Sequence, residues 1–393
     1  MSESSDTQDD PAMSGWDVDA GQDDFVTDQG PPDMYQSESV RRVQEFLMSL
    51  GATDEEIEQA TFEERLELLA IERLLIPAGT HYTRNELSSR TGMPTDLSSR
   101  FWRALGFPDV ANDEPIFSEL DIEAVSIVQG LLSLGLADVD SAIQLGRVLG
   151  TSMSRLAEAQ VTMTQVRGMA HSGVESAESF ALVADATLPS IARLIDYAWR
   201  RHLLAAARRA VMPGVTQEEG SPQMQLDVAV GFADMVGFTV LSQQLPDAEL
   251  GKVIGRFEAT AYDTITSLGG RIVKMIGDEV MFVAEDPQVA ARVALALSEA
   301  HRSDPELSDL RVGLGFGTVI ARDGDYFGPI VNLASRMVNI ARPGTTLTSQ
   351  EFYEALGEST DGEFWWRPVR MRYIRDIGRV NLWSLRRSEP DSQ

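Results

Sequence analysis

The stretch RIVKMIGDEVMFV, from Arg271 to Val283, decides how the second half of this 393-residue chain folds. Two apolar runs of strand length flank Gly277 and Asp278, and this pattern predicts a β-hairpin with a tight turn. Lys274 interrupts the first strand, which is otherwise apolar. A charge on a buried strand is costly unless it meets a partner or a ligand. The hairpin therefore raises the question of what Lys274 and Asp278 face.

Strands alternate with helices on both sides of this hairpin. The strand LDVAVGFADMVG and a helix precede it, whereas a helix and the strand LRVGLGFGTVIARDG follow it. The order β-α-β-β-α-β, with further elements appended, defines the ferredoxin-like plan. We therefore assign the fold class α+β, in which an all-α N-terminal domain is followed by a ferredoxin-like βαββαβ domain.

The first half of the chain has helical periodicity up to about Met212. A long helix is predicted from Leu188 to Val211, with Pro189 in its first turn. Three Thr–Glu pairs have the spacing of a capping box, namely Thr53 with Glu56, Thr61 with Glu64, and Thr83 with Glu86. Residues 1–38 are rich in Asp and Glu and lack Lys and Arg, which predicts a disordered acidic tail. The predicted domains are helical over 39–212 and α/β over 226–388, joined by a linker over 213–225.

Composition excludes several classes of function. The chain has no cysteine, so it has no disulfide or thiol nucleophile, and this suits a reducing cytoplasm. No apolar run is long enough for a membrane span, and we expect no stable membrane insertion. The formal net charge of −28 disfavours nucleic acid as a partner. An anionic substrate such as a nucleotide would need metal ions to screen this charge.

Two acidic residues lie where the predicted sheet brings strand ends together. Asp234 ends the first strand, in FADMVGFT, and Asp278 lies in the hairpin turn. Neighbouring strands at the centre of a ferredoxin-like sheet would bring both carboxylates to one edge. Two carboxylates together with substrate phosphates suit Mg²⁺, which keeps several water ligands. Each acid alone also suits an ordinary turn position.

A third motif, GDYFGPIVNLASRM, follows the last strand of the predicted core. Together with FADMVGFT and KMIGDEVM, it resembles the class III nucleotide cyclases, in the same order and at plausible separations. The resemblance covers about residues 226–385. The helical half is similar to the regulatory domain that precedes some actinobacterial adenylyl cyclases.

The resemblance implies a role for each matching residue. Asp234, Asp278 and the backbone carbonyl of Met235 match the ligands of two metal ions, Mg²⁺ or Mn²⁺. Lys274 and Asp325 match the pair that recognises the purine. A lysine can donate to adenine N1 and a carboxylate can accept from the N6 amino group, whereas guanine presents the reverse pattern. The pair therefore favours ATP over GTP.

Asn332 matches the residue that holds the ribose, and Arg336 matches the arginine that contacts the α-phosphate. In the family, the metal aspartates come from one subunit and the other four side chains from its partner. Because this chain carries all six, the resemblance implies a homodimer with two equivalent composite sites. The family usually has a lysine for the terminal phosphates where this chain has Ile377, and Arg375 or Arg379 are candidate substitutes.

Residues 80–150 resemble a degenerate winged helix-turn-helix of the MerR type. A DNA-binding version needs basic recognition and phosphate contacts. The segment PTDLSSRFWRALG offers only Arg100 and Arg103, in acidic surroundings. We therefore favour protein interaction or inhibition over DNA binding for this region.

Three functions are consistent with these patterns. The favoured one is an adenylyl cyclase that converts ATP to 3′,5′-cyclic AMP and pyrophosphate under N-terminal control. The second is a GTP-using cyclase, including a diguanylate cyclase, because IGDEV resembles the GGDEF turn, although Ile276 replaces its first Gly. The third is a non-enzymatic DNA-binding regulator with an inactive cyclase module.

The predicted helix from Leu188 to Val211 leads through the linker into the strand that carries Asp234. A rigid helix at this point would transmit the state of the N-terminal domain to the dimer. His202 lies in this helix beside Arg200 and Arg201, and histidine titrates near neutral pH. Protonation of His202 is therefore one hypothesis for a switch. The alternative is a surface helix residue without a switching role.

Overall fold

The structure is a computed structural model that describes residues 32–63, 65–76, 78–168, 174–211, 216–217, 224–356 and 362–388. The predicted acidic tail therefore lies outside the described residues up to residue 31, as does most of the predicted linker. Internal contacts divide the chain into two compact units. The first comprises Met1–Gly79 with Met163–Leu188, and the second comprises Thr80–Thr162 with Pro189–Gln393.

Thirteen helices occur within the described ranges. Their bounds are α1 Pro32–Ser49, α2 Asp54–Phe62, α3 Leu66–Leu75, α4 Arg84–Thr91, α5 Thr95–Ala104, α6 Glu119–Ser133, α7 Val139–Gly168, α8 Val174–Ala210, α9 Phe238–Gln244, α10 Asp247–Ser267, α11 Pro287–Ser303, α12 Pro329–Ile340 and α13 Gln350–Leu356. In this part of the chain, no helix combines the length and the apolar character that a bilayer span requires.

Nine strands, counted over the same ranges, form one mixed sheet. They are β1 Thr216–Gln217, β2 Met224–Met235, β3 Arg271–Ile276, β4 Glu279–Ala284, β5 Leu310–Arg322, β6 Asp325–Phe327, β7 Thr345–Ser349, β8 Phe364–Ile374 and β9 Gly378–Arg387. The main path runs β3-β4-β2-β5-β7-β9-β8, while β1 pairs with β2 and β6 pairs with β5.

The ferredoxin-like plan is confirmed by the four central strands. β2 lies between β4 and β5 and is antiparallel to both. β3 and β4 form the predicted hairpin at one edge. α10 and α11 connect these strands, and β7, parallel to β5, extends the sheet towards the C-terminal hairpin β8–β9.

Each face of the sheet has its own hydrophobic core. On one face, Ala229, Ala233 and Met235 of β2 pack with residues of α10 and α11. On the other face, Val230 and Phe232 pack with residues of α12. Side chains alternate between faces along a strand, so Asp234 belongs to the face that α12 partly covers.

Glycines allow α12 to lie directly against β5. A Cβ added to Gly313 would lie 2.2 Å from the carbonyl oxygen of Ala334 in α12. A Cβ on Gly315 would lie 2.7 Å from side-chain atoms of Ile330. Both separations are shorter than any tolerable carbon contact, so the close approach of helix and strand depends on the absence of these side chains.

In the first unit, α1, α2 and α3 share a small core that includes Val43, Leu47 and Ile57. The capping box at Thr53 and Glu56 is confirmed. The interpretation of Thr61 as a cap is wrong, because Thr61 lies inside α2 and its hydroxyl donates to the carbonyl oxygen of Ile57 at 2.7 Å. A threonine within a helix commonly satisfies its hydroxyl in this way.

The region from Thr80 to Thr162 contains the helices of the predicted helix-turn-helix. The capping box at Thr83 and Glu86 is confirmed at the start of α4. Gly92 ends α4 in the left-handed conformation, with φ 74°, and α5 follows after a short turn. A bridge between Tyr82 and Phe117 joins the start of this region to the segment before α6.

The predicted start of the long helix is wrong. α8 begins at Val174, and Pro189 lies within it instead of in its first turn. Proline removes one backbone hydrogen bond without necessarily ending a helix, because its neighbours can support the break. His202 is exposed on α8, and nearby Arg200 forms an ion pair with Asp196 at 2.7 Å.

Candidate active site

The end of β2 and the β3–β4 turn bring two carboxylates together. Asp234 is the penultimate residue of β2, and the amide of Met235 donates to the backbone oxygen of Asp278 at 3.1 Å. Gly277 adopts φ 62°, which allows the tight turn before Asp278. The backbone bond between Met235 and Asp278 brings the two aspartates close enough for the charge of Asp278 to act on Asp234. Burial, and then the charge of Asp278, raise the pKa of Asp234 to about 6.

Two further charged residues flank Asp234, and neither was predicted from the sequence. Glu279 lies opposite Asp234 in the β2–β4 ladder, and Arg311 lies opposite it in the β2–β5 ladder. Burial, followed by the charges of Asp234 and Asp278, raises the pKa of Glu279 to about 7. The Nε of Arg311 is buried and has no hydrogen-bond partner among the described residues.

A signal for Glu279 was present in the sequence. It directly follows Asp278 at the start of a strand whose alternation is clear, so its face could be assigned from Met281 and Val283. Arg311 gave no such signal, because its position opposite Asp234 depends on the register of strands distant in sequence.

Lys274 and Asp325 meet across the same face of the sheet. The Nζ of Lys274 lies 2.5 Å from Oδ2 of Asp325, and both side chains are about one-third exposed, at 37% and 28%. The other carboxylate oxygen of Asp325 accepts from the amide of Tyr326 at 2.8 Å. The two predicted purine-reading residues are therefore in direct contact.

Asn332 and Arg336 lie one turn apart on α12, and both side chains are exposed. Pro329 opens this helix, and Gly328 precedes it with φ 147°. Arg336 forms no ion pair with any residue that the structure describes. The exposed edge of α12 therefore presents an amide and a free guanidinium.

The turn of the C-terminal hairpin contains Arg375 and Ile377. The Nε of Arg375 lies 3.8 Å from Oδ2 of Asp376, and both side chains are largely exposed. Arg379 follows on β9, opposite Tyr373, and is exposed as well. Arginine side chains thus surround the position where the resemblance places a phosphate-binding lysine.

The site residues form separate groups within one chain. Asp234 and Asp278 lie near each other at the end of β2, and Lys274 contacts Asp325. No hydrogen bond or ion pair among the described side chains joins one group to the other. α12 adds Asn332 and Arg336 without direct contact to either group. Such an arrangement supplies two incomplete parts of a site.

The acidic pair has the donor set of a magnesium site. Among the described residues, no three His, Cys, Asp or Glu side chains converge as a metal cluster. The chain offers two carboxylates, with the carbonyl of Met235 beside them. Mg²⁺ needs few protein ligands because it retains water and binds substrate phosphates. The pKa of Asp234 is raised by burial and then by the charge of Asp278, and a divalent cation would relieve the repulsion between the two carboxylates.

Comparison with known families agrees with the fold and with this constellation. The family described as "Adenylate cyclase regulatory domain" matches residues 36–212. The family described as "Adenylate and Guanylate cyclase catalytic domain" matches residues 221–380. The chain therefore belongs to the class III adenylate cyclases in which a helical regulatory domain precedes the catalytic domain.

Its relatives align with it over most of their length. The chain is 35% identical to an adenylate cyclase of Streptomyces coelicolor over 348 residues, which is 82% of this chain and 90% of that protein. It is 33% identical over 389 residues to a pH-sensitive adenylate cyclase of Mycobacterium tuberculosis, covering 94% and 92% of the two chains. The solved adenylyl cyclase CyaB of P. aeruginosa is 22% identical, with a TM-score of 0.38, over 44% of this chain and all of that one.

Proposed function

We propose that this adenylate cyclase forms 3′,5′-cyclic AMP and pyrophosphate from ATP at two composite sites of a homodimer, each with two divalent metal ions. The observation that carries this proposal is the contact between Lys274 and Asp325. The ammonium group donates and the carboxylate accepts, which complements N1 and the N6 amino group of adenine. Guanine presents the opposite polarity at both atoms, so GTP would leave both groups unpaired.

Asp234, Asp278 and the carbonyl of Met235 are the groups that would hold the metal ions. When bound, the ions would neutralise the triphosphate and increase the reactivity of the ribose 3′-oxygen. That oxygen displaces pyrophosphate from the α-phosphorus in line. Asn332 orients the ribose, and Arg336 donates to the α-phosphate where negative charge accumulates. Arg375 and Arg379 supply positive charge for the terminal phosphates in place of a lysine at Ile377.

A homodimer is the arrangement that would complete each half-site. Among the described residues, no hydrogen bond or ion pair joins Asp234 or Asp278 to Asn332 or Arg336, although one substrate would meet all four side chains. Two copies related by a two-fold axis would place the acidic pair of one opposite α12 of the other. Each dimer then has two equivalent sites.

Regulation by the N-terminal domain is supported by the family match over residues 36–212. α8 continues from this domain to Ala210, close in sequence to the first catalytic strand. A relative of similar organisation is named as pH-sensitive. We extend the proposal to a pH-dependent balance between inactive and active dimers, in which exposed His202 is one candidate for the titrating group.

The alternative of a DNA-binding regulator is less well supported. Arg100 lies 3.7 Å from a carboxylate oxygen of Asp140, and Arg103 lies 2.5 Å from one of Asp109. These guanidinium groups already have carboxylate neighbours, which would compete with DNA phosphates. The helix-turn-helix region therefore fits a role in protein contacts.

The test is incubation of the purified chain with ATP or GTP in the presence of Mg²⁺ or Mn²⁺, with products identified by mass. We expect 3′,5′-cyclic AMP and pyrophosphate from ATP, and much less product from GTP. Equal use of both nucleotides would contradict the base assignment. A linear dinucleotide or a cyclic dinucleotide as the main product would contradict the reaction itself.

A further inference from the structure

The β5–β6 hairpin places Tyr326 in the core of the sheet face that carries the base-reading pair. Asp323 and Gly324 form its turn with φ 57° and 81°. Tyr326 is only 7% exposed and packs with Val228 and Val283. It directly follows Asp325, and its backbone amide donates to that carboxylate at 2.8 Å, so an anchored Tyr326 restricts where the carboxylate lies.

Arg271, the first residue of β3, contacts both the hydroxyl group and the ring of Tyr326. Its Nη2 donates to the phenolic oxygen of Tyr326, and its guanidinium carbon lies 5.2 Å from the ring centroid. Burial lowers the pKa of this guanidinium. Arg271 makes no ion pair within the described part of the chain. Arg271 is half-buried, and the charge of Glu285 acts on it from a distance, so the hydrogen bond to Tyr326 is its principal direct compensation for burial.

The two pairs are parallel links between the same two elements. Arg271 and Lys274 both belong to β3, and Tyr326 and Asp325 both belong to β6. The ladder between β3 and β4 shifts register between Ile272 and Lys274. This irregularity lets residues three apart both face β6, although a regular strand would place them on opposite faces.

Both oxygens of Asp325 are committed in this arrangement. Oδ2 meets the Nζ of Lys274 at 2.5 Å, and Oδ1 accepts from the amide of Tyr326 at 2.8 Å. The orientation of the Asp325 carboxylate therefore depends on Tyr326, which Arg271 anchors. A shift of Tyr326 would rotate the acceptor away from the base.

We propose that Arg271 and Tyr326 are positioning residues for base selection, which hold Asp325 in the orientation that accepts from an adenine amino group. This inference rests on the proposed function of Lys274 and Asp325. Neither Arg271 nor Tyr326 needs to touch the nucleotide. Their contribution is to restrict the orientations of Asp325 before the substrate arrives.

The same arginine faces the end of α8. Arg209 and Arg271 line one cavity of about 430 Å³, with Leu226 and Tyr326 on its walls. The positive charge of Arg209 acts against that of Arg271. A movement of the end of α8 would therefore change the electrostatic potential at the guanidinium group of Arg271, which anchors Tyr326. This places base selection within reach of the helix that leaves the regulatory domain.

The test compares Tyr326→Phe with Tyr353→Phe in the full-length chain. The first change removes only the oxygen that accepts from Arg271 and keeps the buried ring. Tyr353 is a matched control, because it stacks on Trp383 at 3.7 Å and its hydroxyl makes no hydrogen bond within the described residues. For Tyr326→Phe we expect the ATP-to-GTP ratio of kcat/KM to fall by on the order of fivefold, mainly through a higher KM for ATP. Tyr353→Phe should leave the ratio unchanged.

Arg271 gives a second, independent measurement. Arg271→Met should lower the same ratio, and Arg271→Lys should restore part of it, because lysine can still donate to the phenolic oxygen. The effects of Arg271→Met and Tyr326→Phe should not add, since each breaks the same contact. Arg209→Gln should alter the ratio in the wild-type background but not in the Arg271→Met background.

The variant with Lys274→Glu and Asp325→Cys separates this inference from the proposed function. If that variant changes base preference and Tyr326→Phe does not, the positioning role is wrong and the base-reading role stands. If neither changes the ratio, the assignment of Lys274 and Asp325 fails. A lower ratio for Tyr326→Phe with a melting temperature equal to that of Tyr353→Phe would support positioning over a general loss of stability.

Discussion

Glu279 of β4 lies directly opposite Asp234 of β2, and the two side chains share one face of the sheet. The pKa values of Glu279, about 7, and Asp234, about 6, are both raised above their ordinary range. Burial is the largest cause of both shifts; the charge of Asp278 adds to the shift of Asp234, and the charges of Asp234 and Asp278 add to that of Glu279. When no metal ion is bound, Glu279 and Asp234 therefore keep their protons to a higher pH than isolated carboxylates do.

Replacing Glu279 by glutamine should stabilise the metal-free protein at pH 8. Between about pH 4.5 and 7, folded Glu279 keeps a proton that the unfolded chain releases, so the free energy of unfolding falls as the pH rises. Glu279→Gln has no proton to release, so it should remove this decrease in the free energy of unfolding. Thermal melts with a chelator should show a higher melting temperature for the variant at pH 8 and little difference at pH 4. Glu299→Gln, on the exposed side of α11, is the control.

Asp278→Asn should abolish stabilisation by divalent metal ions. Mn²⁺ or Mg²⁺ that binds the folded chain raises its melting temperature by mass action. Loss of one carboxylate should remove most of this increase and lower turnover by on the order of 100-fold or more. Asp263→Asn, exposed on α10, should behave as the wild type. An unchanged metal response in Asp278→Asn would mean that the ions bind elsewhere.

Two inactive variants should complement each other if the sites are shared between subunits. Asp234→Ala and Arg336→Ala are each expected to be nearly inactive. Co-expressed, they should recover about a quarter of wild-type activity, because half of the dimers are mixed and each mixed dimer keeps one intact site of two. Asp234→Ala with Asp278→Ala should recover nothing, since both changes fall in the same half-site. Recovery in that pair, or none in the first despite demonstrated mixed dimers, would refute shared sites.

A shortened chain that begins at Val215 tests control by the N-terminal domain. We expect its activity per site to differ markedly from that of the full chain, with an increase as the expected direction. Equal activity would remove the regulatory role. If only the full chain depends on pH, His202→Ala should flatten that dependence. Coincident pH profiles of the two chains would exclude His202 as the switch.

His301 should make the folded protein sensitive to mild acid. It is 1% exposed, its Nδ1–H donates to the carbonyl oxygen of Ser308 at 3.0 Å, and burial lowers its pKa. The unfolded chain therefore takes up a proton below about pH 6.5 that the folded chain does not, and the contribution of His301 to the free energy of unfolding falls as the pH drops, opposite in sign to that of Glu279. His301→Gln should flatten this slope between pH 7 and 5 relative to exposed His81→Gln. Parallel slopes for the two variants would contradict the prediction.

The alternation of strands and helices was sufficient to predict the order of the catalytic elements, because each element has a clear period and glycine turns separate them. Contacts between segments that are distant in the sequence could not be predicted in the same way. The meeting of Arg271 with Tyr326 depends on a register shift in β3 and on the path of β6, and neither has a local signal. Pro189 was misplaced for the opposite reason, since a strong local signal was overridden by the helix around it.

The bare backbone of β5 at Gly313 and Gly315 has a mechanical consequence. α12 lies so close to this strand that no side chain fits between them at either glycine. Asn332 and Arg336 are therefore expected to move together with the sheet. In the proposed dimer, a transition that separates them from the acidic pair of the other copy would therefore be a displacement of entire catalytic domains. Distances measured within one domain would then stay constant between resting and active enzyme, while distances across the dimer axis would change.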